Sequence, residues 1–183
     1  MMTSMTENIE NLCSPNFKYS DFIKCSDTYK VVEARNIPEQ HLTYFFIKQL
    51  ANDILEPCLK KFGRLKLTYG FCDQTLAREI KKRSGGIYPP LDQHAGMEFK
   101  KNGSLVSPRG GFASDFHCLP TPSLDVAKYV VKELKFDRLY YYGTDRPVHV
   151  SVNEKPVGKI VIMQKAVERT IPKQVSQRAF LNI

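Results

Sequence analysis

The stretch Phe136-Asp137-Arg138-Leu139-Tyr140-Tyr141-Tyr142-Gly143-Thr144-Asp145-Arg146-Pro147-Val148-His149-Val150-Ser151-Val152 reads as two short strands and the turn between them. Leu139 to Tyr142 and Val148 to Val152 are β-branched or aromatic, and Gly143 to Pro147 carries turn residues. Period-two alternation puts Val148, Val150 and Val152 on one face and His149 with Ser151 on the other, so burying the valines points the imidazole towards a site or solvent. A further strand, Gly158 to Met163, follows Asn153-Glu154-Lys155-Pro156. Upstream, Ser123 is a suitable N-cap for a helix whose apolar face is Val126, Ala127, Val130, Val131 and Leu134, with Asp125 in the first turn. Pro38 suits the first position of an earlier helix carrying Leu42, Phe46, Leu50 and Ile54, which runs to about Lys61 and stops at Gly63. Leu65 to Tyr69 alternates as a strand, and Gln74 to Arg83 reads as a short helix closed by Gly85-Gly86. Helices and strands mix without βαβ regularity or internal repeat, so the class is α+β.

The chain has 183 residues, 42% of them hydrophobic, which is enough for one sizeable core in a single domain. Its formal net charge is +8, and from Lys155 onward six basic residues face only Glu168. That suits acidic partners, nucleic acid among them, through the basic loop and tail. Five cysteines, Cys13, Cys25, Cys58, Cys72 and Cys118, form no C-x-x-C pair, which excludes a disulfide framework and a Cys-rich zinc module and predicts reduced thiols. Residues 1–16 read as a disordered leader, residues 17–165 as the domain, and residues 166–183 as a basic C-terminal tail. With no apolar segment of signal or membrane-span length, the expectation is a soluble protein that is cytoplasmic or released without its own signal peptide.

Candidate chemistry gathers around three histidines: His94 in Asp92-Gln93-His94-Ala95-Gly96, His117 in Ala113-Ser114-Asp115-Phe116-His117, and His149. The first lies within, and the second just beyond, a loop-rich stretch, Tyr88 to Gly111, that is long enough to carry function. Two neutral imidazoles and a carboxylate with one open position are a standard set of ligands for catalytic zinc.

Read in order, the chain resembles the zinc D-Ala-D-Ala carboxypeptidase and cell-wall endopeptidase family, whose zinc domain is shared with Hedgehog proteins. The fragments that carry the resemblance are Cys25-Ser26-Asp27-Thr28, Glu56-Pro57 through Phe62-Gly63, Leu67-Thr68-Tyr69-Gly70-Phe71, Gly85-Gly86, Asp92-Gln93-His94, Gly111-Phe112-Ala113-Ser114-Asp115, Phe136-Asp137-Arg138-Leu139 and Pro147-Val148-His149-Val150-Ser151. The resemblance implies a small, mostly antiparallel sheet with flanking helices and a zinc site. It makes His94, Asp115 and His149 the ligands of Zn2+ with water in the fourth position, and the reaction a metal-assisted hydrolysis of a small peptide or amide. His117 becomes an outer partner of the site or an alternative ligand, and Gln93, Ser151 and Tyr69 fall where substrate would bind.

Three departures accompany the matches. An insertion containing Glu98, Lys100, Lys101, Asn102, Gly103, Pro108 and Arg109 separates His94 from Asp115. Cys72 stands where the family has an arginine that grips the substrate carboxylate, and Arg146 where it has the acid that takes a proton from water. Arginine has no basic lone pair to offer. Asp145 next to it is the nearest substitute base, with Glu98 on the insertion a second one. The leading expectation is thus a zinc-dependent hydrolase, and the alternative a zinc-fold binding module without peptidase chemistry that holds an acidic ligand or nucleic acid.

Overall fold

The computed structural model describes residues 7–32, 35–84, 92–165 and 170–183. In chain order the elements are α1 (Tyr19–Ile23), α2 (Asp27–Val32), α3 (His41–Leu50), a π-helical turn (Ala51–Leu55), α4 (Glu56–Phe62), β1 (Arg64–Tyr69), α5 (Gln74–Ser84), β2 (Phe112–Leu119), α6 (Ser123–Glu133), β3 (Arg138–Tyr141), β4 (Val148–Val152), β5 (Lys159–Lys165), β6 (Thr170–Val175) and α7 (Gln177–Leu181). The strands form one six-stranded sheet in the order β1-β2-β4-β3-β5-β6. Every neighbouring pair is antiparallel except β3 and β5. The mixed α/β fold with a mostly antiparallel sheet agrees with the expected class.

Alternation sorts the sheet into two faces. Phe112, Phe116, Leu139, Val148 and Val150 point to the side covered by α3, α4 and α6, where they pack with Ile47, Leu50, Ile54, Leu55, Val126 and Val130. The long N-terminal helix begins at His41, three residues beyond Pro38, and continues through the π-helical turn to Phe62, where Gly63 at φ 88° ends it. Its buried stripe runs through Phe46, Ile47, Leu50 and Ile54, whereas Leu42 is half exposed because it falls off that stripe in the first turn. Ser123 is the first residue of α6 rather than its cap, and its amide donates to Thr144 O at 3.1 Å, which ties α6 to the β3–β4 turn.

Both ends contribute more than the sequence suggested. Leu12 bridges Lys18, Cys13 is buried, and Ser14 Oγ and Asn16 N and Nδ2 all donate to the Glu56 carboxylate, so packing starts upstream of Phe17; residues 1–6 lie outside the described residues. In the segment read as a basic tail, β6 pairs with β5, and α7 buries Phe180 fully against Tyr141. Ser176 caps α7 by accepting from Ala179 N. The Gly85-Gly86 helix stop lies outside the described residues. All five cysteines are free thiols, and no described helix is long and apolar enough to cross a membrane.

Candidate metal centre

The face of the sheet opposite the main core brings Asp115 of β2 beside His149 of β4, because the two are direct partners in the antiparallel ladder. His149 Nδ1 lies 2.7 Å from Asp115 Oδ1, and His94 Nε2 lies 3.5 Å from the same oxygen. One atom from each of the three side chains lies within 4.8 Å of the other two. Ligands about 2.0–2.2 Å from a tetrahedral zinc ion stand about 3.4 Å apart, so the spacing admits an ion with small side-chain shifts.

Local backbone explains how His94, which is on no strand, reaches this point. Gln93 takes a left-handed conformation, φ 65°, which turns the chain sharply and aims the next side chain at the sheet. His94 Nδ1 then donates to Gly70 O at 2.8 Å, and Cys72 N donates to His94 O at 3.1 Å. A proton on Nδ1 leaves the Nε2 lone pair facing Asp115, the arrangement by which an outer hydrogen bond fixes the tautomer of a ligand histidine. The Tyr69 ring lies edge-on to His94 at 4.7 Å, and Tyr140, the ladder partner of His149, stacks on that imidazole at 4.7 Å and 10°.

Gln93 is itself clamped. Its Nε2 donates to Gly110 O at 2.6 Å and to Asp137 Oδ2 at 3.2 Å, and its Oε1 accepts from Ser151 Oγ at 2.9 Å. Gln93 and Ser151 are fully buried and bonded to each other, which makes them supports for the His94 turn. Asp137 also takes both Arg109 Nε and Nη2, so the insertion between His94 and Asp115 is pinned to the Phe136-Asp137 motif.

Electrostatics follow from this packing. Burial alone would raise the Asp115 carboxyl, but the two facing imidazoles hold it well below the ordinary carboxylate range. Burial opposes charge on His94, yet the Asp115 carboxylate outweighs it and raises that imidazole. Three buried polar atoms here have no hydrogen-bond partner among the described residues: His149 Nε2 of the set itself, and Asp92 Oδ1 and the Tyr69 hydroxyl beside it. Asp92 is pushed up by burial and feels both imidazoles, so a second carboxyl lies beside the cluster. A buried His-Asp-His set with two such groups next to it is a donor array suited to a metal ion. Sequence reasoning passed over Asp92, although it stands two residues before His94.

The remaining candidates lie elsewhere. His117 is further along β2, outside the cluster, with Lys66 and Arg146 for neighbours, and burial together with those charges lowers its imidazole. Asp145 is exposed on the β3–β4 turn. Glu98 serves the start of α3, accepting from Thr43 Oγ1 at 2.7 Å and from Glu39 N and Gln40 N at 3.2 Å. Cys72 is fully buried, and its thiol donates to Asp73 O. Comparison with protein-family models, with curated proteins and with solved structures returns no match for this chain.

Proposed function

We propose that the chain is a zinc-dependent hydrolase that cleaves an amide or peptide bond in the manner of the D-Ala-D-Ala carboxypeptidases and cell-wall endopeptidases its sequence resembles. The observation that carries the reading is the convergence of His94 Nε2 and His149 Nδ1 on one Asp115 oxygen, from a turn and two neighbouring strands. His94, Asp115 and His149 would hold the ion. Zinc bound there supplies a polarised scissile carbonyl and water acidified towards a pKa of about 7.

The chain's own groups do the rest. Gly70 O keeps the proton of His94 on Nδ1, Asp115 keeps charge density between the imidazoles, and stacked Tyr140 fixes the His149 ring plane. A proton released by water there would pass to a carboxylate: Asp145, four residues before His149, is the group the sequence favours although it stands exposed on the β3–β4 turn, and Asp92, which faces both imidazoles, is the alternative. Purified protein should contain zinc and cleave members of a broad peptide and amide panel, and chelator should stop the cleavage. Full zinc content with no hydrolysis across the panel would refute the enzyme reading.

One observation favours a second reading. The position of the family's arginine is a buried cysteine, Cys72, and that of its acid is exposed Arg146. A zinc-fold module without hydrolysis, binding an acidic ligand, accommodates both. Binding that weakens steeply with salt, in the absence of turnover, would establish it.

A further inference from the structure

The described lysine and arginine side chains are exposed except those of Arg109, Lys128, Arg138 and Lys159, which are half-buried. The first two have partners: Arg109 pairs with Asp137, and Lys128 Nζ donates to Ile183 O. The other two stand side by side without one. Arg138 of β3 is the ladder partner of Ser151 on β4 and of Lys159 on β5, and ladder partners project from the same face. Ser151 shares its face with His149, so Arg138 and Lys159 lie on the metal-centre face, one row of side chains from His149 and Tyr140 and about 7 Å along the strands. Arg138 Nε is shut off from solvent with no hydrogen-bond partner, and neither cation forms an ion pair among the described residues. The acid next to Arg138 in sequence is already taken. Asp137 accepts from Arg109 Nε and Nη2, Gln93 Nε2 and Val157 N, which fills both of its oxygens.

Sinking a guanidinium into a sheet strips water from it, and a buried N–H without an acceptor is unfavourable, so such groups are ordinarily matched by an acceptor of opposite charge. No described residue supplies that match for Arg138. Its Nη1 and Nη2 are not sealed off, so the head group reaches the surface of the sheet while its stem stays fixed. A planar fork held in that way takes a carboxylate or phosphate through paired N–H groups. We infer that Arg138, with Lys159 beside it, is the subsite for an anionic group, carboxylate or phosphate, of the ligand that reaches the His94–Asp115–His149 centre. Its use as a substrate clamp rests on the hydrolase reading, but the subsite itself needs no metal. An extended peptide spans about 3.3–3.6 Å per residue, so an offset of one row places the anionic group about two residues from the bond at the centre. The ligand class is then an acidic peptide rather than a neutral one.

The test titrates three probes into the zinc-loaded and the metal-free chain: acetyl-dialanine as the free acid, its C-terminal amide, and acetyl-alanyl-phosphoserine amide. Dissociation constants are read by NMR, with the arginine Nε–H resonances as the local signal and that of Arg138 assigned by its loss in Arg138→Gln. A charge-assisted pair with a half-buried guanidinium is worth about tenfold in affinity. The anionic probes should therefore bind about tenfold more tightly than the neutral amide and shift the Arg138 Nε–H signal. Arg138→Gln should erase that preference and Lys159→Gln should reduce it about threefold, each with zinc content unchanged. An anion held by zinc alone would bind Arg138→Gln as tightly as the wild type. The tighter of the two anionic probes identifies the group as carboxylate or phosphate. Equal binding of the neutral amide, or a preference that survives in Arg138→Gln, would overturn the subsite. Arg138→Gln removes no side-chain hydrogen bond or ion pair and should keep one cooperative unfolding transition; if it does not, the wild-type Nε–H shift and Lys159→Gln decide. Anion preference in a protein that neither binds zinc nor turns over would support the subsite while refuting the hydrolase, and turnover without anion preference would do the reverse.

Discussion

Replacing Asp137 by Asn perturbs the support of the centre without touching its ligands. The Asp137 side chain is fully buried and accepts from Arg109 Nε at 3.0 Å, Arg109 Nη2, Gln93 Nε2 at 3.2 Å and Val157 N at 3.1 Å. An amide retains one acceptor and points an N–H2 at groups that can only donate. Breaking a buried ion pair from one side costs about 3–5 kcal/mol. Arg109 is 27% exposed and regains some water, so the loss should fall at the low end, about 3 kcal/mol. For a chain of this size that is a fall of about 6–12 °C in Tm. Gln93, whose turn aims His94, loses one of its anchors, so metal affinity should also drop, by less than the roughly tenfold that follows the loss of a direct partner of a ligand. Urea denaturation of Asp137→Asn, Arg109→Met and the double variant reads the coupling directly, and the single effects should fail to add by at least about 1 kcal/mol. A single Asp137→Asn loss below about 1 kcal/mol, or strict additivity, would refute the hub.

Chelation should lower Tm by about 5–10 °C when zinc had been present at roughly 100 times its Kd, and one cooperative transition should remain, because the core is built without the metal; loss of the transition in calorimetry would make the site structural instead. Asp145→Asn should abolish turnover with zinc content intact, and Asp92→Asn measured beside it decides between the two carboxyls: full activity in Asp145→Asn removes that residue from the mechanism. Gly70→Ala should cost about 2–3 kcal/mol and weaken the His94 anchor, because a Cβ there would stand 2.3 Å from Phe22 O while Gly70 O holds His94 Nδ1; an unchanged denaturation midpoint would show that α1 yields freely.

Much of this arrangement is readable from alternation alone. The valines of β4 do face the helices and His149 does face away from them, as the period of two requires. Asp115 and His149 meet because strands neighbouring in the sheet place them in register, a pairing that a single sequence does not specify. The role of Gln93 escaped notice because a left-handed glutamine is unusual and its partners Gly110, Asp137 and Ser151 are distant in sequence. Glu98 looked like a spare acid on a loop, yet the open amides at the start of α3 claim it, since helix N-termini seek carboxylates. Tyr140 could have been found by carrying the alternation of β3 one step further, as Leu139 and Tyr141 are buried towards the helices and Tyr140 must then face His149. The strand Thr170–Val175 carries Pro172 and Lys173 and lies at the edge of the sheet, where strand patterning is weakest.

The central claim is that His94, Asp115 and His149 together hold a metal ion. Metal content by mass spectrometry, with zinc affinity by competition titration, tests it on the wild-type chain and on His94→Ala, Asp115→Ala and His149→Ala. The account predicts one zinc per wild-type chain and at least a hundredfold loss of affinity in each variant. A wild-type chain without metal after zinc loading, or variants that bind as tightly as the wild type, would contradict it.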